Sequence, residues 1–500
     1  MKPYTKIDIE NIYVDFIQSA HNNCNKYRFS QALKDIETAA EWAYRFNNIY
    51  TDDKTEKLLK RISDYTIGHV SVNNRKDDHC VFIDSFLWDN RGLTQQYLRA
   101  LMNMGMHILV IFTNAGGQIG KDIFDEIEAY DKAKLVSFQG GVDRINETKQ
   151  IVQEIESFSP SHIFLHIAPW DVIALMACNA IEGPLKYNIN LTDHAYWMGA
   201  SFIDYCFEFR PYGMTVSLEK RGLKPEQCLA LPFYPISPIM QEFAGIPDIP
   251  QNAVKIFTGG ALYKMLGRND IFFNILERLL AIGSNIYIFV AGFSQDKRFD
   301  DKIASLEGRE RILQIGVRKD IDAVFDHCDI YLGTYPMTGG LMVQYAAKHG
   351  KPVVAYHEKG DVMNAVEEFL NTYQQEFRSF SDLDEMTAYT KKLVENTEFR
   401  LQQGRLLQSG MMNCERFNSE FCKLISTHHS PFEWKKDSID YDSFFNRYLD
   451  LENNNGNTAT KAILSSQKQS VFFKLKSNRL KMIQVLLFVL KNTYCSSLFR

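Results

Sequence analysis

Three stretches of this 500-residue chain carry residues able to hold an anion, and two others carry side chains able to move a proton. In "CDIYLGTYPMTGGLMVQYAAKHGKPVVAY" an apolar run gives way to Thr338, Gly339 and Gly340, and a weakly charged helical pattern follows. A helix N-terminus presents unpaired N–H donors and a partial positive charge, and glycine lets a phosphate approach the backbone closely. The Thr338 hydroxyl either joins that ligand or caps the helix. In "FTGGALYKMLGRND" a second glycine pair, Gly259 and Gly260, precedes Lys264 and Arg268, cations suited to a diphosphate. "IGVRKD" adds Arg318 at the end of another predicted strand. Any one of these turns has a purely structural reading; their recurrence within about a hundred residues points to a phosphate seat.

The proton-handling candidates lie earlier. In "YNINLTDHAYWMGASF" Asp193 and His194 fall just past a predicted strand, with Trp197 and Gly199 behind them. An imidazole works as a general base near neutral pH, and an adjoining carboxylate orients it or raises its pKa. The alternative for His194 is a buried structural histidine, and for Trp197 a core residue rather than a sugar platform. His166 and Asp171, in "FLHIAPWD", form a weaker second pair, and the loop 88–92 falls where a cleft would be. "DYD" at 440–442 has the spacing of a metal-binding carboxylate pair, but it sits in polar helical sequence far from any strand end and reads as solvated surface. No metal site is predicted.

These residues need a frame. Residues 1–70 have helical periodicity, with Ala32, Ile36, Ala39, Ala40 and Ala43 on one face. From 78 to 245, short apolar runs ("CVFIDSF", "HILVIFT", "AKLVSF", "HIFLHIA", "YNINLT", "FIDYCFEF") alternate with amphipathic helices such as 93–104 and 143–157. That alternation predicts parallel βαβ units and a Rossmann-like domain. A proline-rich connector interrupts it, and "AVKIFTGG", "NIYIFVAGF", "RILQIGV", "CDIYLGTY" and "KPVVAYHE" restart it as a second Rossmann-like domain over 252–380. Residues 381–450 are again helical, and "NNNGNTAT" reads as a linker to a tail within 453–500. The fold class is α/β.

Composition sets limits. The chain is 45% hydrophobic and 23% charged with a net charge of -5, which suits a globular protein and argues against a nucleic-acid binder. Nine dispersed cysteines without a CxxC pair fit a reducing compartment and no zinc site. No run reaches the roughly 18–20 apolar residues of a spanning helix, so a cytoplasmic location is expected. After Glu452 every charged residue is basic, and "VFFKLKSNRLKMIQVLLFVLKN" has the make-up of an amphipathic helix lying on an anionic membrane surface or packing as a terminal helix.

The stretch "IGVRKDIDAVFDHCDIYLGTYPMTGGLMVQYAAKHGKPVVAY" is similar to the donor half of GT-B glycosyltransferases, with the Gly-bearing strand end, the Pro-containing loop, the small-residue helix start and "GKPVVA". Asp193, His194, Trp197 and Gly199 resemble the "DH..W.G" element of bacterial polysaccharide glycosyltransferases of this fold. The resemblance implies a donor site for a nucleotide-diphosphate sugar, UDP-sugar favoured, in the second domain. It also implies an acceptor site for a surface glycan, lipid-linked, in the first. Gln344 stands near the place where family 4 members carry a glutamate that contacts the donor. Family 4 membership implies retention of anomeric configuration; the Thr-Gly pattern also resembles the O-GlcNAc transferase group, for which inversion is implied. A sugar-nucleotide epimerase and a non-catalytic glycan-binding or partner-binding protein are the other functions this frame accommodates.

Overall fold

The structure, a computed structural model, describes residues 4–114, 117–138, 143–237, 242–373 and 376–454. Three helices come first: α1 (Lys6–Asn25), α2 (Phe29–Phe46) and α3 (Asp53–Thr66). Thr5 and Asp8 form a capping box at α1, and Asp52 caps α3 through Lys54 N, so polar residues set both helix starts. The small face of α2 lets α1 approach closely; Ala32, Ile36, Ala39, Ala40 and Ala43 are all fully buried, and Trp42 Nε1 donates to Ile9 O at 3.1 Å. Sequence periodicity and packing agree on this module.

The first sheet has seven parallel strands: β1 (Lys76–Asp84), β2 (His107–Phe112), β3 (Ala133–Ser137), β4 (Pro160–His166), β5 (Leu185–Ile189), β6 (Tyr205–Glu208) and β7 (Cys228–Ala230). Their spatial order is β3-β2-β1-β4-β5-β6-β7. The second has five parallel strands, β8 (Val254–Gly259), β9 (Ile286–Ala291), β10 (Ile312–Gly316), β11 (Ile330–Leu332) and β12 (Val353–Val354), in the order β10-β9-β8-β11-β12. The central strands are buried on both faces, as the unbroken apolar runs "CVFI" and "ILVIF" require. In each sheet the order reverses once, between β1 and β4 and between β8 and β11. The crevice beyond the strand ends at such a reversal is where open α/β sheets bind ligands.

Two features depart from expectation. The seventh strand of the first sheet, β7, is only three residues long, between the turn at Pro225–Gln227 and the extended "LPFYP", too short to show periodicity. The helix Tyr441–Asn454 takes in the first two residues of the stretch expected as a linker from 453, and the rest of that stretch lies outside the described residues. Asn453 closes that helix onto the N-terminus, accepting from Tyr4 N at 2.7 Å and donating to Tyr4 O at 3.0 Å. The basic tail beyond lies outside the described residues. Among the described residues no helix is long and apolar enough to cross a membrane.

Candidate active site

The ends of the two sheets face each other across a cleft of about 370 Å³. Its lining brings together Asp193, His194, Lys264, Thr338 and Gly340, residues up to 147 positions apart in sequence. On the second-domain side, the helix Gly340–Lys348 begins at Gly339 with no side chain capping it. The Thr338 N–H is already taken by Asn364 Oδ1 at 2.9 Å, and Asn364 also donates to Pro336 O, so the loop is pinned while the helix start stays open. Lys264 enters beside this start. Among the described residues its ammonium donates to Thr338 O, at 3.4 Å, and burial lowers its pKa. Among the described residues of the cleft lining it is the cation without a carboxylate partner.

The glycines divide by role. Gly339 is itself outside the cleft lining, but the nearest neighbours of a Cβ there would be Met342 and, at 3.9 Å, Lys264 Nζ, so this position borders the space next to the lysine. A Cβ on Gly340 would meet the Phe369 ring at 2.7 Å, so here glycine serves packing. Gly259 and Gly260 are outside the cleft lining; they make room for Phe257 and Met342, and for Thr334 and the Lys264 stem. Gly292, at φ +105, lies so close to Gly260 that a Cβ would be 2.4 Å from its carbonyl oxygen.

On the first-domain side, His194 Nδ1 meets Asp193 Oδ1 at 3.1 Å, and the ring keeps partial exposure to the cleft. With Nδ1–H donated to the carboxylate, Nε2 is the basic nitrogen. Asp193 is buried and also accepts from Arg210 Nε at 2.5 Å. Burial alone would raise its pKa, but Arg210 and His194 hold it well below the ordinary carboxylate range. Beneath, Arg221 donates to the carbonyls of Thr192, Asp193 and Ala195 at 3.3, 2.9 and 2.6 Å, fixing the loop that carries both residues.

Arg221 is held in turn by Ser217, which donates to the buried Glu208. Burial pushes Glu208 up to about 7, against the opposing pull of Arg221, Ser217 and Asn190. A carboxyl raised from an ordinary 4.5 keeps its proton in the folded state after the unfolded chain has released it. Its contribution to stability therefore falls as pH rises from about 4.5 to about 7, by on the order of 3 kcal/mol. Glu208→Gln lacks this slope. Urea midpoints of the two proteins converge or cross over that window; parallel curves would contradict the assignment.

Six residues singled out from sequence sit elsewhere. Arg318 is bound by Asp320 at 2.7 and 2.5 Å and donates to Gly245 O, clamping the interdomain connector rather than a phosphate. Arg268 pairs with Glu358 at 3.1 Å and is absent from the cleft lining. Gln344 is buried and donates to Phe233 O at 3.0 Å, again holding the connector. Trp197 is buried under the Arg221 guanidinium, 5.0 Å from its ring centre. His166 and Asp171 do not pair: His166 is locked against Asp84 and Thr94, and Asp171 caps the helix Val172–Ala180 while accepting from Ser85 and Thr113. In "DYD", Asp440 accepts from Ser443 N at the start of the last helix. No cluster of three metal-ligating side chains occurs among the described residues.

Sequence reasoning missed Arg210 and Tyr448. Arg210 lies two residues past the end of β6, directly before a helix-starting Pro211, which is the signal that it faces the cleft. Tyr448 comes from the last helix and lies parallel to the His194 ring at 6.5 Å between centres, with no local signal in the sequence.

No protein-family model and no curated protein matches the chain. Solved structures do. An O-GlcNAc transferase of Thermobaculum terrenum aligns with a TM-score of 0.51 at 13% identity, over 85% of this chain and 81% of its own. A glycosyltransferase from Rickettsia africae gives 0.51 at 13% identity, over 71% of this chain and 99% of its own. The lipopolysaccharide outer core galactosyltransferase WaaB gives 0.50 at 11% identity, over 70% and 100%. With two Rossmann-like domains closing on one cleft and these neighbours in common, the chain has the GT-B fold.

Proposed function

We propose that the protein is a glycosyltransferase that moves a hexose-type sugar from a nucleoside diphosphate donor, with UDP-sugars favoured, onto a glycan acceptor. The observation that carries this reading is the meeting in one cleft of an uncapped helix start, an unpaired lysine and a carboxylate-backed imidazole. The helix N–H groups and Lys264 take the diphosphate and stabilise the negative charge that grows on it as the sugar leaves. The acceptor hydroxyl attacks the anomeric carbon; the bond from that carbon to the β-phosphate oxygen breaks with its electron pair, and the hydroxyl proton passes to His194 Nε2. Asp193 holds the ring in the tautomer this needs, and Arg210 holds Asp193 ionised. A lipid-linked surface glycan as acceptor is supported by the basic, part-apolar composition of the tail, which suits the inner face of a membrane. Calorimetric titration with UDP, GDP, ADP and CMP tests the donor site: one of them binds the full chain, and a flat trace with all four removes the diphosphate seat.

A further inference from the structure

A second cavity, about 680 Å³, adjoins the cleft on the first-domain side and shares Leu191 and His194 with it. Its volume falls in the roughly 300–1,000 Å³ range of small-molecule sites. The first-sheet strand ends supply its floor, including Ser85, Thr113 and Asp171, and α2 supplies a wall. Glu37, Glu41, Tyr44 and Arg45 recur at the spacing of one helical face, and that face is turned into the cavity.

The wall has a specific chemistry. Glu37 is gripped by Arg144 through two hydrogen bonds, Nε to Oε1 at 2.8 Å and Nη2 to Oε2 at 2.6 Å. One turn on, Arg45 Nη2 donates to Glu41 Oε1 at 3.2 Å, while Arg45 Nε is buried with no protein partner. Glu37 and Glu41 are 8% and 3% exposed, so these pairs are held in place rather than solvated. Tyr44 and Trp170 stand 5.3 Å apart between ring centres, with the Arg45 guanidinium near both. Trp88, 47% exposed, also lines the cavity.

The two carboxylates and two guanidiniums of the wall cancel in charge and Asp171 in the floor adds no positive charge, which disfavours an anionic ligand, and their polar edges disfavour a lipid chain. Fixed planar donors and acceptors match the neighbouring hydroxyls of a sugar, and the aromatic faces match its C–H faces. We infer that this cavity is the acceptor subsite, that it takes an uncharged oligosaccharide, and that the N-terminal helices select it through Glu37, Glu41, Tyr44 and Arg45. The inference rests on the transferase reading, because His194 is shared: a sugar seated here presents its terminal hydroxyl to Nε2.

Saturation-transfer NMR on the full chain tests it with maltotriose, cellotriose, mannotriose and chitotriose, beside a serine-containing peptide. At least one trisaccharide receives saturation, and its apparent affinity falls by about 10-fold or more in Trp88→Ala and in Arg45→Gln. Trp88→Ala, at an exposed side chain, keeps the wild-type melting temperature and nucleotide binding; Arg45→Gln removes the partner of the buried Glu41 and lowers the melting temperature, but the folded variant still binds nucleotide, which separates lost contacts from lost folding. Saturation of no trisaccharide, saturation equal in wild type and both variants, or saturation of the peptide alone overturns the proposal. The nucleotide titration runs separately: nucleotide bound with no trisaccharide bound overturns this subsite alone, whereas trisaccharide bound with no nucleotide overturns the donor reading and leaves the glycan site standing.

Discussion

Replacing His194 by alanine lowers the rate of sugar transfer by about 10²–10⁴-fold, the usual worth of a positioned general base, and leaves nucleotide affinity unchanged. The asymmetry follows from placement. His194 lies on the first-domain side of the cleft, bonded to Asp193 and stacked with Tyr448, while the diphosphate seat is built from Lys264 and the helix start opposite. Its side chain is partly exposed, so its removal opens no core cavity. Asp193 is a poorer probe. It pairs with the buried Arg210, and removing one member of a buried ion pair costs about 3–5 kcal/mol, enough to confuse lost activity with lost folding. Initial rates and nucleotide titrations on the same preparation of His194→Ala check the prediction; an unchanged rate would remove the base, and a matching loss of nucleotide affinity would place the residue in the donor site.

Lys264→Ala weakens binding of the nucleoside diphosphate by about 1.5–3 kcal/mol, on the order of 10- to 100-fold, the value of a hydrogen bond to a charged group. Among the described residues no carboxylate pairs with Lys264, so its charge is available to the ligand. Burial lowers its pKa, and only the protonated amine attracts a diphosphate. Affinity in the wild type therefore falls as pH rises through that lowered pKa, and the bound anion pulls the pKa back up. In Lys264→Ala this alkaline fall is absent. Calorimetry at neutral and alkaline pH reads both effects; equal affinity in the two proteins would show that the lysine does not touch the phosphates. Arg268 and Arg318 give the contrast, since each is already neutralised by a carboxylate, Glu358 and Asp320.

Much of the fold was legible because it rests on short-range patterns. Unbroken apolar runs such as "HILVIF" mark strands buried on both faces, and all eleven strands expected from such runs occur in the two sheets. β7 escaped because three residues carry no period. The site was legible only in part, since sequence shows which residues stand at strand ends but not what they meet across space. Lys264 and Arg318 looked equivalent as cations after a glycine turn. What separates them is Asp320, two residues from Arg318, and the connector backbone at Gly245. Gln344 looked like a donor contact until the connector carbonyl of Phe233 took its amide. Tyr448 was unreadable, because the last helix reaches the cleft only through long-range contacts, the pairing of Asn453 with Tyr4 among them.

The most direct test of the donor site is calorimetric titration of UDP, GDP, ADP and CMP into the wild-type chain and into Gly339→Arg. Gly339 has an ordinary φ of -106, and the nearest neighbours of a Cβ there are Met342 and, at 3.9 Å, Lys264 Nζ, so the backbone accommodates an arginine that reaches toward the lysine, and an unchanged melting temperature shows that the variant is folded. The predicted result is tight binding of one nucleotide by the wild type and none by the folded variant. Equal binding by both proteins would put the nucleotide elsewhere and contradict the phosphate seat.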